Sequence, residues 1–526
     1  MENLIVLKSG GESTGSAEKI KRLKDYTKRF VEDDKKVILV VSAQASSKGR
    51  HTSLLERIAN GDNGPISLIN SSFVEISEEL GIDFDTNCLW EGIETAKRLD
   101  DYKFRGEYGN SKLVAEYFKN EGLNVHWVDA RDAICTDSNF GHGKILNVNE
   151  NVFVPCHDVY VIGGYHGADK GGNNVILNTS GSDITAGAIA GILGADEYIN
   201  LKETQGIAIV DPRFVPNAKI VKHATFSEIR EGVYRSAKAV LEPSSLKWCH
   251  EKGVPVRVMS LSDTANSGTL ITNHRDMTDH NEIAISNIAC KEGFIIYVCS
   301  RRESDDSFFS DLFKMFSSNG VSIDMVDTNN GTVSLAIHES EFASLDERIR
   351  LERGLRERSG NLGIYDNQAL ISIVGEGIKR PVIFKNWITK VPESVTACYG
   401  PILGGVQTGM TTFYIELFGM HDQVGYAERL AEFFESNGIK IAACSTSIDS
   451  FSVGVKEDMS RDYIAEISSK FKDEVKADDI SVTRNGVYRY GSNRDVRNIT
   501  LAVPASQVND AVVKIYNKLL EEEYIV

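Results

Sequence analysis

No two of the eight cysteines stand in a Cys-x-x-Cys pair. That argues against a thiol zinc knuckle or a dithiol redox motif, and buried free thiols in a reducing compartment are expected. The eleven histidines contain no HxxxH or HExxH spacing, which removes the helical zinc motifs. No apolar run reaches membrane-spanning length, and the chain does not open on a basic segment followed by a signal-length apolar run. The cytoplasm is therefore the expected location, with no membrane partner. Positive charge is also in deficit: 58 Lys and Arg face 75 Asp and Glu, a net −17. This argues against nucleic acid as the main partner, but not against an anionic small molecule, because a local cluster of lysine and backbone amides overrides the global sign. What is present is an ordinary globular composition, 41% hydrophobic and 25% charged over 526 residues, enough for two or three domains.

The organising stretch is Leu4 to Ser13. Leu4 to Leu7 is an apolar run of buried-strand length, and Gly10 and Gly11 let backbone amides approach a ligand. Ile20, Leu23, Tyr26 and Phe30 then recur at helical spacing. Strand, Gly-rich turn with Lys8, then helix is an arrangement that suits a phosphate, although such a turn also occurs with no ligand at all. Val37 to Val41 is a second strand ending in Ser42-Ala43. A polar loop (Gln44 to His51) leads to Thr52, which either caps a helix or touches substrate. Glu107 opens a helix in which Leu113, Val114, Tyr117 and Phe118 share a face. Val159 to Ile162 followed by Gly163-Gly164 repeats the strand-then-glycine pattern. Gly181-Ser182-Asp183 enters a helix of small residues (Ala186, Gly187, Ala188, Ala190) that must pack close to its neighbour. Further strands near 197–201 and 254–258 complete an alternating pattern over about 270 residues, which indicates an α/β layered domain with a largely parallel sheet. Ligands in such sheets bind at the carboxyl ends of strands, where these turns lie.

After residue 290 the pattern changes. A strand (Phe294 to Cys299), a helical face (Phe308, Phe309, Leu312, Phe313, Phe316) and a strand (Val333, Leu335, Ile337) are followed by the same order at 413–417, 427–434 and 451–455. Both helices end alike, Phe316-Ser-Ser-Asn-Gly320 and Phe434-Glu-Ser-Asn-Gly438, which marks an internal repeat. The repeats fall near 293–340 and 411–458, and strands near 368–376 and 496–522 are expected to complete ferredoxin-like units. Residues 345–410 are the least legible part.

These stretches, in this order, resemble the aspartate kinase branch of the amino-acid kinase family over nearly the whole chain. The opening around Lys8-Ser9-Gly10-Gly11 is similar to that family's Lys-Phe-Gly-Gly-Thr-Ser motif. Ser42-Ala43 with Thr52 resembles its serine-alanine loop and substrate threonine, and Gly106-Glu107 its substrate-contacting glutamate. Asp129-Ala130-Arg131 with Thr136-Asp137 is similar to the next motif. Gly181-Ser182-Asp183-x-Thr185-Ala186 matches the core of its Gly-Arg-Gly-Gly-Ser-Asp-x-Thr-Ala box, and Asp211-Pro212-Arg213 and Ala237-Lys238 fit its nucleotide side. The resemblance implies a three-layer α/β amino-acid-kinase sandwich with a mainly parallel sheet over 1–275, then ferredoxin-like (ACT) α+β regulatory domains over 290–526.

The implied activity is ATP-dependent phosphorylation of an amino-acid carboxylate, L-aspartate to 4-phospho-L-aspartate, the first step of the aspartate-derived amino acid pathway. Control by an amino-acid effector and a homodimer or larger assembly are implied with it. The resemblance makes Lys8 and Asp183 catalytic and assigns Ser42, Thr52 and Glu107 to the substrate. It assigns Lys8, Gly10, Gly11, Glu203, Asp211, Arg213 and Lys238 to the nucleotide. Mg2+ would bridge phosphates, with no dedicated protein metal site. Four departures stand out. Thr179 replaces the arginine that grips a substrate carboxylate, Lys202-Glu203 replaces threonine-aspartate, Ser9 and Glu12 replace phenylalanine and threonine, and Glu242 replaces a histidine. They leave open a kinase for another carboxylate, or an amino-acid sensor without turnover.

Overall fold

Leu4 to Leu7 are buried because their strand has neighbours on both sides and helices on both faces. The computed structural model describes residues 3–154, 156–178, 180–234, 236, 241, 243–274, 285–302, 307–329, 332–375, 406–416, 425–446, 450–455, 459–475, 479–489 and 497–521. The chain divides into two units. One is Met1–Ala208 with Ile220–Phe226 and Val240–Asp276; the other is Ile209–Lys219 with Ser227–Ala239 and Met277–Val526.

The first unit is built on eight strands: β1 (Leu4–Ser9), β2 (Lys36–Val41), β3 (Val125–Val128), β4 (Val159–Gly163), β5 (Glu197–Lys202), β6 (His223–Thr225), β7 (Val256–Ser260) and β8 (Thr269–Thr272). They lie in the order β6-β8-β7-β5-β1-β2-β4-β3. Every neighbouring pair is parallel except β7 with β8. The expected α/β fold with a mainly parallel sheet is therefore present. A smaller four-stranded sheet lies within residues 134–176. The helices that matter for the site are α1 (Ala17–Glu32), α2 (His51–Ala59), α3 (Arg105–Asn120), α4 (Gly181–Leu193) and α5 (Pro243–Lys252). Ile20 and Leu23 of α1 and Leu113, Val114 and Phe118 of α3 bury against Leu7, Leu39 and Val161. Because β5, β1, β2 and β4 run the same way, their carboxyl ends bring Lys202, Lys8, Ser42 and Gly163-Gly164 to one edge.

Helix α4 is made of small residues because α5 crosses it almost in contact. A Cβ on Gly187 would stand 1.9 Å from the Ser245 carbonyl oxygen, and one on Gly191 would stand 2.4 Å from the Trp248 Cβ. Gly187→Ala is therefore expected to destabilise the protein by roughly 1–3 kcal/mol through overpacking, read as a lower urea midpoint at unchanged slope.

The second unit holds a nine-stranded sheet. Its first repeat is β9 (Asn287–Ser300), α6 (Phe308–Ser317), β10 (Met325–Asn329), β11 (Thr332–His338), α7 (Leu345–Arg358) and β12 (Leu362–Gly375). The second is β13 (Val406–Glu416), α8 (Tyr426–Ser436), β14 (Ile441–Thr446), β15 (Ser450–Val455), α9 (Arg461–Val475) and β16 (Asp479–Arg489). A final strand β17 (Arg497–Pro504) and helix α10 (Val508–Glu521) follow. The order is β16-β13-β15-β14-β10-β11-β9-β12-β17, so each repeat is a complete βαββαβ unit of ferredoxin-like type. They join where Asp327 of β10 faces Ser445 of β14. The second repeat is closed by α9 and β16, which sequence reading did not assign, and β17 instead pairs with β12.

The shared ending of α6 and α8 has one physical cause. Gly320 and Gly438 take φ of 70° and 72°, left-handed values that favour glycine. Val321 N–H donates to the Phe316 carbonyl at 3.0 Å and Ile439 N–H to that of Phe434 at 2.9 Å. Asn319 and Asn437 side chains cap the Met315 and Phe433 carbonyls. The two repeats also share one apolar core, with Phe313 edge-on to Phe451.

The seven described cysteines are all unpaired. Four are buried and Cys88 is half-buried, but Cys135 and Cys156 are exposed, so burial of every thiol is not what the structure has. Among the described residues no helix is long and apolar enough to cross a membrane.

Candidate active site

Lys8 is the last lysine that β1 can carry before its glycine turn, and its ammonium lies 2.7 Å from Asp183 Oδ1. The second oxygen of Asp183 is held at 2.9 Å by Lys202, from the end of β5. Asn200, two residues earlier on the same face of that strand, donates to Oδ1 at 3.1 Å. One buried carboxylate thus sits between two ammonium groups. Burial alone would raise the Asp183 pKa, but the Lys8 and Lys202 charges overcome it and hold the carboxyl down at about 2. The Lys202 ammonium is pushed below its ordinary range by burial, then by Lys8, against the attraction of Asp183. The cluster faces a cavity of about 500 Å³ at the carboxyl edge of the sheet.

Asp183 does not cap α4. That place is taken by Ser180 at φ 64°, and Asp183 lies in the first turn, where the helix dipole favours an anion. Thr52 does not cap α2 either. The cap residue is Arg50, with no side-chain cap bond, and Thr52 lines the cavity together with Ser42. Glu107 lines it too, from the first turn of α3, and is only 3% exposed. Its Oε2 has no hydrogen-bond partner. Burial pushes its pKa up to about 8, against the opposing pull of the Ala43 and Glu107 amides, Lys103 and Lys8. A carboxyl so placed holds its proton more tightly than an ordinary glutamate, and a cation brought beside it would favour the carboxylate.

Between its ordinary pKa of 4.5 and about 8, the folded protein keeps a proton on Glu107 that the unfolded chain releases, so this group lowers stability as pH rises through that window. Glu107→Gln, which holds no titrating proton, is expected to melt higher than wild type at pH 8.5 and to differ little at pH 5. Equal shifts at both values would show that Glu107 is not protonated in the fold.

The glycines play different roles. A Cβ on Gly11 would stand 2.1 Å from the Ala43 carbonyl oxygen, so the 43–45 loop packed against it requires a glycine here. Gly10 has room, with only the Lys8 ammonium 3.8 Å from where its Cβ would be. A short 3-10 turn (Glu12–Thr14) separates the glycines from α1, whose cap is Ser16. Glu12 turns to Arg50 at 2.9 Å, and Glu203, also on the cavity wall, pairs with Lys19 at 3.2 Å. Asp211 and Arg213 belong to the other unit and pair with each other at 2.5 Å. Lys238, Thr179 and Glu242 lie outside the described residues.

Sequence reading missed Lys103 and Tyr165 as wall residues and noted Lys202 only as a departure. For Lys103 the sequence holds no signal. Tyr165 follows the Gly163-Gly164 pair, which could have flagged it. Tyr165 and Ser180 both line the cavity with φ of 71° and 64°, left-handed backbone at non-glycine residues. Such conformations cost on the order of 1 kcal/mol or more each and concentrate at functional sites.

Residues 3–260 match the model of the amino acid kinase family. That part of the chain belongs to the family, and the curated relatives that the wider chain resembles are aspartate kinases. The chloroplastic aspartokinase 1 of Arabidopsis thaliana is 27% identical over 403 residues, covering 70% of each chain. The aspartate kinase of Clostridium acetobutylicum superposes with TM-score 0.64 at 20% identity, over 98% of this chain and 99% of that one. E. coli aspartokinase III, solved with aspartate and ADP, superposes with TM-score 0.59 at 18% identity, over 98% and 100%. The same E. coli protein has been solved with lysine and aspartate. At these identities the structural likeness is one of fold.

Proposed function

We propose that the chain transfers the γ-phosphoryl group of ATP to the side-chain carboxylate of L-aspartate, giving 4-phospho-L-aspartate and ADP, under control of an amino-acid effector. The observation that carries this reading is the Asp183 carboxylate clamped by Lys8 and Lys202 on the wall of a 500 Å³ cavity. Phosphoryl transfer needs little covalent help. It needs alignment, and positive charge where the moving phosphoryl group and the leaving oxygen carry negative charge. A carboxylate oxygen of aspartate forms the new bond to phosphorus as the bond to the bridging oxygen of ADP breaks.

In this scheme Lys8 and Lys202 neutralise the phosphate chain, Asp183 fixes both ammonium groups, and the Gly10 and Gly11 amides add donors. Glu107 takes the substrate ammonium, releasing its proton to solvent as it does so, while Ser42 and Thr52 orient the substrate. Glu203, on the cavity wall, lies on the nucleotide side. Among the described residues no three His, Cys, Asp or Glu side chains converge as a metal cage. The lysines of the cavity wall suit the phosphate chain rather than a metal, and the wall's own oxygen ligands are few, so magnesium would be held mainly by the phosphates of ATP, whose charge it would offset. Glu203 and Glu12 are the acids at that end. An effector site in the nine-stranded unit and self-association of the chain belong to the same reading.

The test is ADP release from MgATP across a panel of amino acids with hydroxylamine as trap. Turnover with L-aspartate supports the assignment. Turnover confined to another amino acid would move the substrate, and amino-acid binding without turnover by any of them would leave a sensor.

A further inference from the structure

An amino-acid substrate brings two charges besides the carboxyl group that reacts: an α-ammonium and an α-carboxylate. Glu107 suits the first. The second needs a cation, and the family's arginine position is held by Thr179. Four cationic side chains line the cavity: Lys8, Arg50, Lys103 and Lys202. Lys8 and Lys202 are committed to Asp183 at 2.7 and 2.9 Å. Arg50 is 70% exposed and is turned to Glu12. Lys103 is different. Its side chain is only 17% exposed, its ammonium stands 6.0 Å from the centre of the Tyr165 ring, and its partner at 3.3 Å is Glu56, which is 52% exposed. An ion pair with a half-exposed surface glutamate is weak and is readily exchanged for a better-enclosed carboxylate.

Lys103 ends a short helix (Asp100–Lys103) whose helical backbone continues through Phe104 into α3. It therefore lies one turn before Glu107, four residues away, where side chains on a helix are neighbours at about 5–6 Å between Cβ atoms. A cation and an acid held side by side at that spacing on one cavity wall match the adjacent carboxylate and ammonium on the α-carbon of an amino acid.

We propose that Lys103 binds the α-carboxylate of the amino-acid substrate, doing the work of the missing arginine, with Glu107 beside it on the α-ammonium. The proposal rests on the reading of this cavity as a kinase site for an amino acid. It makes Lys103 a specificity residue.

The test compares L-aspartate with its α-amide, L-isoasparagine, which keeps the shape and the reacting carboxylate but lacks the α-charge. Both are titrated calorimetrically into the full chain with MgADP, and both are assayed as substrates with MgATP, for wild type, Lys103→Met and Lys103→Arg. Wild type is expected to prefer aspartate, and in Lys103→Met that preference should fall by about tenfold or more, through KM rather than kcat, with KM for ATP unchanged. Lys103→Arg should recover most of the preference. A ratio is insensitive to the fraction of protein that folds, and a merely structural lysine would weaken both ligands equally. An undiminished preference in Lys103→Met overturns the proposal while wild-type turnover leaves the kinase reading intact. If wild type binds aspartate but does not turn over, the kinase reading fails, and the binding ratio still decides the role of Lys103.

Discussion

Lys8→Ala is expected to lower kcat by on the order of 10³-fold while the protein stays folded. The magnitude is that of removing one preorganised donor aimed at charge that develops in the transition state. The side chain is 7% exposed, so no water-screened substitute stands in its place. Folding should survive because Lys202 still holds the other oxygen of Asp183 at 2.9 Å. The measurement is steady-state kinetics beside a urea titration of the same preparation. A fall in kcat of less than about tenfold would contradict the role given to Lys8, because one lost transition-state donor should cost 10²-fold or more.

Asp183→Ala is expected to be the most damaging change to stability. It leaves two ammonium groups facing each other on the cavity wall without their shared counter-charge. Breaking a buried ion pair in this way costs about 3–5 kcal/mol, enough to bring many domains near their unfolding threshold. Asp183→Asn, which keeps the shape and one acceptor oxygen, should cost less. The pH dependence gives an independent check. The folded Asp183 carboxyl is held at about 2, below its ordinary 3.8. Its contribution is therefore fully present above pH 4 and is lost as pH falls toward 2. Chemical denaturation between pH 5 and pH 2 should show wild type converging on Asp183→Asn. Parallel curves over that range would contradict a charged Asp183 in the fold.

Much of this was legible in the chain. The turns that carry Lys8 and Asp183 were legible because strand ends and helix starts are fixed by local pattern, whereas the roles of the two residues came from the family resemblance alone. The repeat was readable because the Asn-Gly ending of each Phe-rich helix encodes a left-handed cap, a local requirement. What local pattern does not carry is which strand end meets which. In the sequence Lys202 is only a departure from the family's threonine; the pairing of β5 with β1 sets Lys202 and Lys8 on either side of Asp183. The loop that demands a glycine at position 11 is likewise more than 30 residues away, a contact that local pattern does not carry. Helix α7 was missed because charge dominates it. Of its 14 residues only Leu351 and Leu355 are buried, too few to raise an apolar period above the noise.

The most direct measurement follows an oxygen atom. L-Aspartate labelled with 18O in its side-chain carboxylate is incubated with MgATP, the full chain and hydroxylamine, and the released phosphate is analysed by mass. Attack of that carboxylate on the γ-phosphorus followed by aminolysis at carbon leaves one 18O in the phosphate, together with one ADP and one hydroxamate. The expected result is singly labelled phosphate in step with ADP. Unlabelled phosphate accompanying ADP would mean that water is the acceptor, and would contradict aspartate kinase activity for this cavity.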